Sequence, residues 1–308
     1  MIPSKPAITI ILNPAAKGER AQFLIRKLQD LFPEADLLTT KRAGHACDLA
    51  KQAAARGDDI IIAAGGDGTI NEVVNGMAGS RSALGLLPVG TVNVFAMELG
   101  IPSKLEKAIE IIRRGFVRHL DLPEANGRYF VQLAGVGFDA QTVQNTDRNF
   151  KNALGPLSYV VTAAQLASLK PPILTVEAEG HRTIQGSFML VGNGRFYGGP
   201  FHFFPDAEMG DGLLDICVFK NLTHLDLIRY FQGIVSGSHT RFKDVTYLKS
   251  KRIKVSANQV VPVEVDGELH GQVPVIFTVH TSALRFWCRK RTRGRHDLFS
   301  RQTGWHVG

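Results

Sequence analysis

Cysteine is scarce in this sequence. The 308 residues hold three, Cys47, Cys217 and Cys288. They lie far apart, with neither metal-ligand spacing nor a pairing framework, which excludes a disulfide scaffold and fits a reduced, cytoplasmic setting. Long apolar runs are also absent. The best stretches, Ile60-Ile61-Ile62-Ala63-Ala64 and Tyr159-Val160-Val161-Thr162-Ala163-Ala164, end in glycine or polar residues, well short of the about 20 residues that span a bilayer. The first apolar stretch, Ile8-Thr9-Ile10-Ile11-Leu12, is too short for a signal-peptide core and reads as a first β-strand. Three catalytic signatures are missing: the Gly-x-x-x-x-Gly-Lys-Ser/Thr phosphate loop, the His-Glu-x-x-His zinc helix and the Gly-x-Ser-x-Gly nucleophile elbow. Acids are outnumbered, 28 against 36 Lys plus Arg, leaving a net charge of +8. The excess gathers near the C-terminus, where Arg285, Arg289, Lys290, Arg291, Arg293, Arg295 and Arg301 face only Asp297. A solvated tail explains it, and so does an anionic partner. With no helix-turn-helix, zinc-finger or RNA-binding signature, nucleic acid is not expected, and weak contact with an anionic membrane surface is the more economical use.

What is present is an ordinary globular composition, 44% hydrophobic and 21% charged with 31 glycines, enough to bury a core in one or two domains. The first third alternates strand and helix signals. Strand 8–12 leads into Asn13-Pro14-Ala15-Ala16-Lys17-Gly18 and a helix carrying Ala21, Leu24, Ile25, Leu28, Leu31 and Phe32 at the 3.6-residue period. Helices are expected over 46–56, 69–77, 92–99 and 105–114, the last with a capping box at Ser103-x-x-Glu106 and a closing Gly115. Strands are expected over 59–64 and 84–87. Repeated βα alternation argues for a parallel sheet covered by helices. From about residue 116 the texture changes to strand candidates at 129–134, 174–178, 187–191, 213–219, 252–256, 260–265 and 273–281, interrupted by helices near 157–169 and 222–235. This reads as a mainly antiparallel β domain, with the boundary near residue 120.

The most informative stretch is Ile60-Ile61-Ile62-Ala63-Ala64-Gly65-Gly66-Asp67-Gly68-Thr69-Ile70-Asn71-Glu72. A buried strand ends in glycines and a helix begins at once, so bare backbone and the positive end of a helix dipole face one point, as a phosphate requires. A tight turn with no ligand would use the same glycines. Asp67 favours a ligand, because a carboxylate among phosphate-binding glycines needs a metal, a ribose hydroxyl or a donor. Leu84-Gly85-Leu86-Leu87-Pro88-Val89-Gly90-Thr91-Val92-Asn93 repeats the device, with Thr91 and Asn93 placed to cap the helix or to bond a nucleotide. Parallel neighbours deliver such loops to one crevice.

Taken in order, several motifs resemble one family. They are Asn13-Pro14, Thr40-x-x-x-Gly44-His45-Ala46, Gly65-Gly66-Asp67-Gly68-Thr69-x-Asn71-Glu72, Pro88-x-Gly90-Thr91-x-Asn93, Gly135-Val136-Gly137-Phe138-Asp139-Ala140, Asp211-Gly212-x-Leu214-Asp215 and Val265-Asp266-Gly267-Glu268. Together they resemble the diacylglycerol kinase catalytic-domain family, in the branch of soluble bacterial lipid kinases related to sphingosine and ceramide kinases. The resemblance implies an N-terminal Rossmann-like parallel-sheet nucleotide domain (1–120, with a C-terminal return at about 284–308) and a C-terminal antiparallel β-sandwich for the lipid (121–283), with the active site between them. It implies ATP and Mg²⁺, and a lipid alcohol as substrate of a cytoplasmic enzyme peripheral to the membrane; a homodimer is compatible with it. Carried over by position, Asn13, Thr40, Gly65, Gly66, Asp67, Gly68, Thr69, Ile70, Asn71, Glu72, Thr91 and Asn93 would form the nucleotide site. Asp67 would hold the Mg²⁺ that accompanies ATP, while Asp211 with backbone carbonyls near Glu208 and Leu213 would match a structural Mg²⁺ site. Glu268 would be the general base. Read from the residues alone, Asp266-Gly267 is also a favoured hairpin turn whose carboxylates are solvated, and Asp211-Gly212 an ordinary turn.

Val94 departs from the acid that commonly follows the motif asparagine. Gly135-x-Gly137-x-x-Ala140 mimics a dinucleotide fingerprint without a βαβ unit around it, and reads as packing or lipid cleft. His45, His202 and His239 are scattered and read as structural, and the aromatic run 195–204 reads as core packing or an acyl-chain entrance. Two other functions share these features: an NAD-kinase-like phosphotransferase, which would need a polar acceptor pocket, and a non-catalytic nucleotide- or lipid-binding regulator, which would lack Asp67 or Glu268.

Overall fold

The computed structural model describes residues 6–16, 21–138, 140 and 171–288. The helix expected over 157–169, Asp139 and the basic residues from Arg289 onward lie outside them.

The first half is a parallel sheet in the order β2 (Asp36–Thr39), β1 (Ile8–Leu12), β3 (Ile60–Gly65), β4 (Ala83–Pro88). Every residue of β3 and β4 is buried, as expected of parallel strands covered on both faces. The covering helices are α1 (Ala21–Leu31), α2 (His45–Arg56), α3 (Asp67–Met77), α4 (Val94–Glu98) and α5 (Leu105–Arg114). Gly57 closes α2 in the left-handed conformation, donating to the Ala53 and Ala54 carbonyls. The capping box expected at Ser103 and Glu106 does not form. Helix α5 starts after Lys104 with no side-chain cap, and Glu106 pairs instead with Lys27 of α1 at 2.5 Å.

The strand β5 (Phe116–Ala125) runs straight through the boundary expected at residue 120. It leads into β6 (Arg128–Tyr129) and β7 (Leu133–Val136). The second half adds β8 (Leu174–Ala178), β9 (Ile184–Gly186), β10 (Phe188–Gly192), the hairpin β11 (Phe196–Tyr197) and β12 (Phe201–His202), and β13 (Leu214–Phe219). After α6 (His224–Ser236) come β14 (Val245–Ser250), β15 (Arg252–Ala257), β16 (Pro262–Val265), β17 (Glu268–Gln272) and β18 (Val275–Cys288). An antiparallel sheet in the order β14-β13-β10-β7-β16-β17 faces β18-β15-β8-β9, with Val136, Val191, Ile216, Val255, Val263 and Phe277 buried between them. This is the β-sandwich. Its outer face is covered by α6, whose Tyr230 packs on Phe188 and Phe219, with Phe203 in the same cluster.

The 14-residue β18 joins the halves. It pairs with β15 through Val275–Thr278, with β5 along most of its length, and in parallel with β4 at Phe286 and Leu84. A register irregularity falls between His280 and Leu284, where Ser282 takes a positive φ of 55°. Asp121, 2% exposed, fills the break: its Oδ1 accepts from the Ser282 N–H at 2.8 Å and its Oδ2 from the Gly212 N–H at 2.7 Å. Strand β7 is antiparallel to both β10 and β16, so no βαβ unit surrounds the Gly135-x-Gly137 fingerprint.

Candidate functional site

The two glycine loops touch. A Cβ on Gly90 would stand 2.4 Å from the Gly66 Cα, and one on Gly65 would meet the Thr69 side chain at 2.4 Å. The Val89 and Gly90 N–H groups both donate to the Gly65 carbonyl. Asp67 fastens the loops further, its Oδ2 accepting from the Val94 N–H at 3.1 Å and its Oδ1 from the Phe95 N–H at 3.2 Å. The donor that Asp67 requires is thus the start of α4. Asn93 occupies the cap position without capping, its side chain bonding both the N–H and the carbonyl of Gly90. Burial pushes the Asp67 carboxyl above the ordinary carboxylate range, against the pull of those N–H groups.

The other expected nucleotide residues divide. Asn13 Nδ2 donates to Thr69 Oγ1 at 3.1 Å, and the Thr40 N–H donates to the Leu12 carbonyl, so Asn13, Thr40 and Thr69 gather at the ends of β1 to β3. Thr91 is exposed beside Gly90. Three residues of the segment are committed elsewhere. The Ile70 side chain is fully buried in the core of the first half. The Glu72 carboxylate accepts from the Gly44 and Ala46 N–H groups at 2.8 and 2.9 Å, holding the start of α2. Asn71 donates to Asp266 Oδ2 at 2.6 Å, tying α3 to the second half.

That tie builds the far wall. Asp266 and Gly267 take φ of 47° and 82° in the β16–β17 turn, the two left-handed positions of a tight hairpin. The Asp266 carboxylate is filled by donors: Oδ2 accepts also from the Val131 N–H at 2.8 Å, and Oδ1 from the N–H groups of Gln132 and Leu133 at 2.9 and 3.1 Å. The turn is thereby pinned against α3, and Glu268 emerges at the first glycine loop. Its Oε1 lies 3.8 Å from where a Cβ on Gly68 would stand. The half-exposed carboxylate pairs through Oε2 with Arg128 Nη2.

The Asp211 turn gathers its expected ligands differently. The Gly210 and Asp211 N–H groups donate to the Glu208 carbonyl, and the Leu213 N–H to Asp211 Oδ1 at 2.9 Å. A cation is already present: Lys249 Nζ lies 2.8 Å from Asp211 Oδ2, 2.6 Å from the Asp206 carbonyl and 3.6 Å from Asp215 Oδ2. Lys249 thus already pairs with this turn where a divalent ion is expected, one ammonium against the two carboxylates of Asp211 and Asp215. Among the described residues no cluster of three or more His, Cys, Asp or Glu is arranged for a metal. His239 is buried, bonding the Phe203 carbonyl, and His45 accepts from the Lys41 N–H.

Sequence reasoning missed three residues. Asp266 stood in a quoted motif without a role, and its neighbour Arg128 sits in a two-residue strand with no periodic signal. Glu98, at the end of α4, accepts from the Arg195 and Phe196 N–H groups and pairs with the Arg195 side chain at 3.0 Å. It anchors β11 to α4, whose first N–H groups donate to Asp67.

This geometry has close counterparts. Residues 7–125 match the diacylglycerol kinase catalytic domain, and residues 132–288 the YegS C-terminal NAD kinase beta sandwich-like domain. The chain is 37% identical over 276 residues to a diacylglycerol kinase of Bacillus subtilis (strain 168), covering 86% of this chain and 90% of that one. It is 34% identical over 278 residues to a diacylglycerol kinase of Staphylococcus aureus (strain JH9), covering 87% and 88%. The crystal structure of a diacylglycerol kinase from Bacillus anthracis str. Sterne matches with a TM-score of 0.76 at 28% identity, over 91% of this chain and 96% of that one. A glycine-loop α/β half fused to a β-sandwich, with relatives named diacylglycerol kinase over most of the chain, places the protein among the lipid kinases. Within that class, the chain belongs to the diacylglycerol kinase family.

Proposed function

We propose that this chain transfers the γ-phosphoryl of ATP to the hydroxyl of diacylglycerol or a closely related lipid alcohol, with Glu268 as general base. The observation that carries the proposal is the Glu268 carboxylate beside Gly68, 200 residues away in the chain, where no turn carboxylate would be held for packing alone. The phosphates fit the first loop, whose glycines leave the backbone bare and whose helix α3 begins with amide groups that have no intrahelical acceptor. Asp67 supplies a desolvated carboxylate there, an anion that a divalent cation complements. Mg²⁺ held by Asp67 would neutralise charge on the phosphates and on the leaving group. Asn13, Thr40 and Thr91 line the same loops. Glu268 takes the hydroxyl proton as the alcohol oxygen bonds to the γ-phosphorus and the bond to the β-phosphate oxygen breaks. Arg128 orients the carboxylate. The Asp211 turn, where Lys249 pairs with Asp211, is outside the transfer step.

The test is transfer of label from γ-labelled ATP to a panel of lipid alcohols in mixed micelles, with NAD as a competing acceptor. Label is expected on diacylglycerol or a related lipid, and E268Q is expected to bind ATP while losing about a hundredfold to ten-thousandfold in kcat. Label on NAD, or E268Q turning over normally, overturns the assignment.

A further inference from the structure

Helix α6 is apolar on two opposite faces. One face is in the core: Tyr230 is 2% exposed, with its ring 4.7 Å from that of Phe219, and Gly233 lies against the Phe242 ring. The other face meets solvent. It carries Leu225, Ile228, Phe231 and Val235, which are 79, 54, 46 and 56% exposed. At about 100° per residue these four fall within an arc of about 120°. Among the described residues, four of the ten large hydrophobic side chains left exposed lie on this one helix, so the stripe is a patch rather than the scattered exposure usual on a protein surface.

The charges around the stripe carry a positive excess, four cations against two acids. Asp226 and Asp244 are both paired with Arg229, which leaves Lys220 before the helix and Arg241 and Lys243 after it as the exposed charged groups at its two ends. An apolar stripe bracketed by cations is complementary to an anionic lipid surface, with acyl-chain boundary under the helix and headgroups at its ends. A second copy of this chain would bring the same cations against themselves. The position also suits a lipid-consuming enzyme. Helix α6 packs on β12, β12 pairs with β11, and β11 packs on α4, whose first N–H groups hold Asp67. One hairpin separates the stripe from the glycine loops.

We infer that α6 is the membrane-docking element, laying Leu225, Ile228, Phe231 and Val235 into the surface of an anionic bilayer with Lys220, Arg241 and Lys243 among the headgroups. The inference rests on the lipid-kinase reading for its purpose, though not for its measurement. Flotation of the full chain with phosphatidylcholine vesicles, with and without phosphatidylglycerol, at low and high salt, tests it. The I228Q/F231Q variant, altered only at exposed positions, is expected to lose at least about tenfold in vesicle affinity at either salt. The K220Q/R241Q/K243Q variant is expected to lose the preference for phosphatidylglycerol and its salt sensitivity. On a short-chain diacylglycerol presented in solution, I228Q/F231Q should match the wild type, and the loss should appear only with vesicle-embedded substrate. Vesicle binding unchanged in I228Q/F231Q overturns the inference. So does binding lost only when Arg289, Lys290, Arg291, Arg293 and Arg295 are neutralised, which assigns it to the tail. A lipid-free dimer that I228Q/F231Q disperses overturns it too, assigning the stripe to self-association. Absence of transfer to any soluble lipid alcohol would instead count against the kinase reading and leave the vesicle result standing.

Discussion

A half-exposed carboxylate on a hairpin turn ordinarily samples several rotamers, and each wrong one would take the proposed base away from the reacting hydroxyl. Arg128 narrows that choice by pairing with Glu268, and Asp266 fixes the backbone from which it projects by accepting four hydrogen bonds. On the mechanism proposed above, Arg128 is a positioning residue. R128M is expected to lower kcat about tenfold, the order of effect of a displaced reacting group, while the KM for ATP and the melting temperature stay near those of the wild type; R128K should recover part of the loss. A purely structural arginine would instead move the melting temperature. Glu268, whose role as base is the proposal made above, was singled out in the sequence because its motif resembles a family's. Arg128 was not, because an ion pair spanning 140 positions leaves no local pattern. Asn71 and Glu72 were legible as members of a motif but not in their jobs. Their side chains reach Asp266 and the start of α2, and which partner a side chain finds is decided by tertiary approach.

Among the elements, the βα units were read most directly, because a buried strand followed by glycines and a helix is a local pattern. Strand β5 was missed for the opposite reason: its first half is largely exposed and its residues, Phe-Val-Arg-His, carry no clean alternation. Helix α6 falls where a helix is expected near 222–235, and what holds it is an ionic clamp. Asp244 accepts from Arg229 Nη1 at 2.9 Å and Tyr230 Oη at 2.6 Å, and the Arg229 guanidinium holds its carboxyl well below the ordinary carboxylate value of 3.8. A depressed carboxyl adds stability that is fully present above its unfolded value and lost as pH falls through its folded one. The D244N variant should be less stable than the wild type by about 2 kcal/mol at neutral pH, and denaturant melts should show that gap closing only below about pH 4. The Asp211 turn makes a separate prediction. K249M removes the cation shared by Asp211 and the buried Asp215, and should cost about 1–3 kcal/mol. Millimolar Mg²⁺ should restore part of the stability of K249M in thermal melts without nucleotide and leave the melting temperature of the nucleotide-free wild type unchanged. A wild-type melt that rises with Mg²⁺ while K249M does not respond would show that the ion binds without displacing the ammonium.

At the scale of the whole molecule, the two halves share a strand. Composition located the change of texture near residue 116 and read it as a boundary, yet β5 crosses residue 120 and β18 pairs with β5 across the same level. A sheet of ten strands therefore runs through both halves, a long-range pairing that no window of sequence contains. A fragment ending at residue 125 would leave β5 without β18 and the β4 side of the parallel sheet open, an unpaired edge of the kind that templates aggregation. Expressed alone it should be insoluble or self-associated by sedimentation, and the full chain should unfold in one calorimetric transition rather than two. The shared strand also sets how the cleft can breathe. Two bodies on a flexible linker swing freely, but two bodies on one twisted sheet can move only as the sheet flexes, and the soft place along β18 is the irregularity at Ser282 that Asp121 fills. Opening for a lipid would then be a shallow elastic bend with a built-in return, so the groups on either side would come back to the same register after every turnover.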